Sequence, residues 1–193
     1  MCSRLIAMRV FPCALLSILL SPCLAVTSQP RAVAQQMPLR DAALPPTVQK
    51  DIIAALVADN KGSPDEPNMQ EIALNSSVSF LALGRTGAPA IVVVVNGSSL
   101  CGNHGNCPSY LFMNENSRAV LIWQQDVGGG PKVEPAVHHG MHDISSSDVM
   151  NAGGEGSVEV EEFDGKTYKP AYCYEVKQTE TGERQKSRHH PCG

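Results

Sequence analysis

Six consecutive residues, His138-His139-Gly140-Met141-His142-Asp143, hold the densest set of metal-ligating side chains in the sequence. Imidazole nitrogens, a thioether and a carboxylate suit copper, nickel or zinc, and a methionine specifically suits Cu(I). The segment reads as a turn between two strands, so at most two of its histidines can converge with Met141. A further ligand, such as His104, His189 or His190, must then come from elsewhere. The expected metal set is therefore His138, His139, Met141 and His142, for copper or zinc. The structural alternative, which turn chemistry favours, packs one histidine under the turn, bonds Asp143 to turn amides and leaves the rest solvated.

Cysteines are the second reactive group, and their meaning depends on compartment. Arg4 and Arg9 precede the apolar run Val10 to Leu20, and Cys23-Leu24-Ala25 offers small residues where a signal peptidase reads. Residues 1–25 are expected to be a signal peptide cleaved after Ala25. The run is about half of the ~20 apolar residues a membrane span needs. Pro22 before Cys23 does not suit lipoprotein processing, so no span or anchor is expected after cleavage. The localisation expected is periplasmic or secreted.

Cys2, Cys13 and Cys23 leave with the leader, and Cys101, Cys107, Cys173 and Cys192 remain. An even number in an oxidising compartment points to disulfides. Four cysteines allow three pairings. Cys101 with Cys107 closes a short glycine-containing loop and is the expected pair, leaving Cys173 with Cys192. Zinc on the same loop with His104 would need reduced thiols at a spacing uncommon for zinc. Within the tied loop, Asn103, His104 and Asn106 are the candidate binding residues.

Catalytic chemistry has less support. Ser98, Ser99, Ser145, Ser146 and Ser147 lie near histidines in sequence, and Asp126 or Asp143 could complete a triad on paper, but no nucleophile-elbow pattern surrounds them. The histidine cluster lacks the glutamate of the H-E-x-x-H zinc helix, and Gly128-Gly129-Gly130-Pro131 opens no helix and has no phosphate-binding lysine. No catalytic residue is expected, and a hydrolase is the weakest alternative. A net charge of −4, more negative once the leader's arginines are gone, supplies no basic footprint for nucleic acid.

These residues need elements to hold them. With 42% hydrophobic but only 5% aromatic residues, the core must be aliphatic and gains from covalent staples. Residues 26–44, rich in Gln, Pro, Ala and Ser, read as a disordered lead-in. Val48, Ile52, Ala55 and Leu56 recur at helical spacing after Pro45-Pro46 and predict one amphipathic helix, while residues 59–69 read as a loop.

From Ser77 the pattern becomes short strands: Ser77–Leu83, Ile91–Val95, Ser109–Met113, Ala119–Gln124, Lys132–Val137, Asp143–Val149, Ser157–Phe163 and Thr167–Val176. Ile91 to Val95 does not alternate and predicts a central strand covered on both faces. VEVEEF alternates, which predicts a wet face carrying Glu159 and Glu161, and Asp164-Gly165 signals a type I′ hairpin. The fold class expected is α+β: one N-terminal amphipathic helix on a predominantly antiparallel meander, disulfide-stapled. The domain would span 45–176, with 177–193 as a C-terminal tail.

An apolar strand, the CGNHGNC loop, a second hydrophobic strand, HGMHDI and finally VEVEEFDGKTYKPAYCYE follow one another in a fixed order. That order resembles a broad group of uncharacterised bacterial periplasmic proteins with a CG-x(n)-C disulfide loop and a C-terminal FDGK-Y hairpin. Met141 stands where that pattern has an aromatic residue. The resemblance implies export, the loop disulfide and the fold class, and implies no activity. The expected function is a non-catalytic binding or inhibitor-type module. Its surface would be the 98–108 loop beside the 138–143 turn, facing a periplasmic or extracellular protein or a cell-wall ligand.

Overall fold

The run AIVVV explains the architecture. In the computed structural model, which describes residues 36–84, 89–97, 99–102, 105–151, 155–179 and 181–192, all five residues of Ala90–Val94 are buried. Ile91, Val93 and the following Val95 pack into one core, while Ala90, Val92 and Val94 pack into another on the opposite face. A strand buried on both faces needs no alternation, as the sequence predicts. The expected signal segment 1–25 lies outside the described residues.

Ala90–Val94 is the middle strand, β3, of a five-stranded antiparallel meander. It contains β1 (Met37–Pro38), β2 (Ser77–Leu81), β3, β4 (Cys107–Glu115) and β5 (Arg118–Val127), in that order. A second five-stranded antiparallel meander contains β6 (Lys132–His138), β7 (Met141–Val149), β8 (Gly156–Phe163), β9 (Tyr168–Gln178) and β10 (Arg184–Lys186). The eight predicted strands are all present, but they form two sheets where one was expected. The break falls at Gly128-Gly129-Gly130-Pro131. Gly129 and Gly130 have φ of 87° and 81°, a region that L side chains rarely enter, and a Cβ on Gly130 would come within 3.2 Å of Val92 Cγ1. The chain thus leaves the first sheet where only glycine fits.

One face of the first sheet is covered by helices. α1 (Pro46–Asp59) starts with proline at its first position and buries Val48, Ile52 and Leu56, one stripe at four-residue spacing. Polar bonds fix its orientation. Asp51 accepts from Arg118 Nε at 2.6 Å and Nη2 at 2.9 Å, and Tyr110 Oη donates to Asp59 at 2.6 Å. The sequence reading missed α2 (Met69–Asn75), whose seven residues are too few to show a period yet bury Met69 and Ala73. The expected lead-in also contributes to the core: Met37 pairs with Val78, and Leu39 is fully buried beside α1.

The other face of the first sheet meets the second sheet through Val92, Leu111, Ile122, Trp123, Ile144, Phe163 and Tyr168. The result is a layered arrangement of helices, sheet and sheet, in which no helix or strand among the described residues covers the second sheet's outer face. Its edge strand β6 is irregular: register shifts between Val133 and Val137, around Pro135.

Turn chemistry differs from expectation. Both central residues are left-handed in His139-Gly140, joining β6 to β7, and in Asn116-Ser117, joining β4 to β5. These are the type I′ positions. At Asp164-Gly165 only the glycine has positive φ. The Asp164 carboxylate instead accepts the amides of Lys166 and Thr167, both at 2.8 Å, which builds a longer loop.

Candidate functional site

The structure contains both expected disulfides, Cys101–Cys107 and Cys173–Cys192. The second has the larger structural consequence. The segment after β9 turns back, β10 pairs with β9, and His190 exchanges two backbone hydrogen bonds with Cys173. Residues 177–193, expected as a C-terminal tail tied back by Cys192, thus extend β9 to Gln178 and add β10 as the final wall of the second sheet.

That wall borders a groove of about 480 Å³ on the sheet's outer face, lined by Lys132, Glu134, Ser145, Ser147, Val158, Tyr174, Arg184 and Lys186 among others. Strand alternation explains the lining. Ile144 and Ser146 point toward the first sheet, where Ser146 donates to Gln125 at 2.7 Å, so Ser145 and Ser147 face outward. Ser145 donates to Glu134 at 2.6 Å. Lys186 Nζ sits 4.7 Å above the Tyr174 ring, and His189 stacks on Tyr172 at 4.2 Å. Among the described residues, Lys132, Arg184 and Lys186 have no carboxylate within ion-pairing distance.

Asn106 of the expected binding loop and the histidine turn lie at opposite ends of β7. Asn106 donates to Asp148, near the end of β7, while the histidine turn precedes its start. Five residues of strand, about 17 Å, separate Asp148 from Asp143. Asp148 lines the groove, so the tied loop braces one end of it. Asn103 and His104 lie outside the described residues.

The four expected metal ligands do not converge. His138 Nδ1 donates to Asp143 at 2.7 Å, whereas His142 Nδ1 donates to the Glu134 carbonyl at 3.0 Å. His139 occupies the turn itself, and Met141 packs against the core between the sheets. The turn geometry separates them: His138 and Met141 are paired across the hairpin, with His139 at its tip. Asp143 does not cap turn amides as expected but holds an imidazole. Its hydrogen bond, aided by its charge and that of Glu162, raises the His138 pKa above the usual imidazole value. No serine hydroxyl among the described residues bonds to a histidine; Ser145 and Ser146 donate to Glu134 and Gln125.

The wet glutamate face is also inverted. Glu161 is 2% exposed between the sheets, where Trp123 Nε1 donates to it at 2.5 Å and Gln125 Nε2 at 3.2 Å. Burial pushes its pKa up to about 7 against the opposing effect of the Trp123 hydrogen bond. Alternation shows which residues share a face, and the donors on β5 decide which face turns inward.

Sequence reasoning missed Lys132, Ser145, Tyr174, Arg184 and Lys186 as a group. The available signal was Cys192, because pairing it with Cys173 obliges the basic tail to return to the sheet. Among the described residues no helix is long and apolar enough to cross a membrane. No known protein family matches this chain, and neither curated proteins nor solved structures yield a significant similarity.

Proposed function

We propose that this chain is an exported, non-catalytic binding module that holds a small carboxylate- or phosphate-bearing ligand in the groove on the outer face of its second sheet. The observation that carries this reading is a groove lined by Lys132 from one edge strand and by Arg184 and Lys186 from the other, without carboxylate partners among the described residues, around a floor of serine hydroxyls, Val158 and Tyr174, with Glu134 and Asp148 the acids of the lining. Cations without carboxylate partners attract an anion, hydroxyls orient its polar atoms, and a groove of about 480 Å³ is within the range of small-molecule sites. Two disulfides hold the ends, one bracing Asp148 through Asn106 and the other fixing the wall that carries Arg184 and Lys186. A site already ordered loses less entropy when it binds. The leader-like N-terminus, the paired cysteines and the resemblance to periplasmic proteins all support export.

Titration of the purified protein with inorganic phosphate, glucuronate and glutamate, followed by amide and side-chain NMR shifts, tests this directly. Saturable shifts centred on Lys132, Ser145, Ser147 and Lys186 are expected with at least one probe. Arg184→Glu with Lys186→Glu should weaken that binding at least tenfold, since attraction becomes repulsion. Shifts that do not saturate, or that survive charge reversal unchanged, would remove the groove from consideration.

A further inference from the structure

Beyond the groove, three strands bring ligand atoms together at the turn end of the second sheet. His138 ends β6, Asp143 lies near the start of β7 and Glu162 near the end of β8. Asp143 is 3% exposed, and the only hydrogen bond its carboxylate accepts among the described residues comes from His138 Nδ1. A carboxylate withdrawn from water calls for positive charge beside it.

On the other side of the ring, His138 Nε2 stands 3.9 Å from Glu162 Oε1. That is too long for a hydrogen bond. It is close to the spacing of two donors that share one cation, because ligands bound at about 2.0–2.2 Å lie roughly 3–4 Å apart. One donor atom each from His138, Asp143 and Glu162 all fall within 4.8 Å of one another. Donation from Nδ1 to Asp143 leaves the Nε2 lone pair facing Glu162, and a carboxylate behind the ring is the usual support of a ligating imidazole.

We infer that His138 Nε2 and Glu162 bind a divalent d-block cation, best matched by zinc, with Asp143 orienting the imidazole and water completing the coordination. The donor set is nitrogen and oxygen without a thioether, which fits zinc and not Cu(I). It differs from the contiguous histidine-methionine set suggested by the sequence, since Met141 packs in the core and His142 bonds a carbonyl. An imidazolium lodged between the two carboxylates would meet the same electrostatic demand without metal.

Calorimetric titration of the purified protein with zinc chloride, with ring-nitrogen NMR of His138, separates the two. One saturable site and a zinc-induced shift of His138 Nε2 are expected. Glu162→Gln and His138→Gln should each weaken binding at least tenfold, whereas Met141→Leu and His139→Asn should leave it within twofold. The inference is overturned by a titration with no saturable site, by full affinity in Glu162→Gln, or by loss of binding only when His189 and His190 are replaced. Asp143→Asn should also weaken binding; if that variant fails to fold, the half-exposed Glu162 still decides the question.

Discussion

The two sheets have the same strand number and the same meander order, yet one is enclosed and the other is half open. The first carries helices on one face and the second sheet on the other, so its central strand is wholly buried. Among the described residues the second has only one face covered by another layer, and its outer face carries serine, tyrosine and lysine around a groove. The difference is one of burial: the first sheet's central strand is packed on both faces, whereas the second sheet's outer face borders a groove. Substitutions should divide along the same line.

The largest effect belongs to the enclosed side. Ile52→Ala deletes a fully buried side chain between α1 and the first sheet and should cost about 2–5 kcal/mol in urea unfolding. Val158→Ala, on the half-buried floor of the groove, should cost less than about 1 kcal/mol. Equal losses would break the distinction between the sheets.

The seam between the sheets is tested by Glu161. Its folded pKa of about 7 lies above the ordinary 4.5, so the folded state holds its proton more tightly than the unfolded state does. The associated stability is fully present below about pH 4.5 and is lost as pH rises toward 7, an effect on the order of 3 kcal/mol. Glu161→Gln should therefore flatten this part of the pH–stability profile, with unfolding midpoints compared at pH 5 and pH 8. A profile as steep in the variant as in the parent would assign the dependence to another group.

A smaller effect is expected at the joint. Gly130→Ala places a Cβ at positive φ against Val92 and should cost about 1–2 kcal/mol by thermal or urea unfolding. An unchanged midpoint would show that the crossing between sheets tolerates a side chain.

Local chemistry made much of this fold legible. The non-alternating Ile91–Val95 run announced burial on both faces, helical spacing revealed α1, and the short cysteine loop pointed to its own disulfide. What escaped depended on contacts distant in sequence. Nothing near Gly128 reveals that its neighbours belong to different sheets, and Glu161 turns inward because Trp123, 38 residues away, offers a donor. The histidine cluster was visible as ligands, but a two-residue turn sends neighbouring side chains apart. His138 meets its carboxylates on β7 and β8 instead. The groove was least legible, because its cations lie in one predicted strand and in the tail, and nothing in the sequence shows that β6 and β10 border the same face.

The irregularity of β6 has a consequence for the molecule among its own copies. An exposed sheet edge is a template for strands of other chains, and long regular edges invite association that ends in aggregates. β6 carries Pro135, which has no N–H to offer, and its pairing slips between Val133 and Val137. At the opposite edge, β10 is three exposed polar residues, Arg184, Gln185 and Lys186. Both margins of the second sheet are thus poor templates for the strands of a second copy.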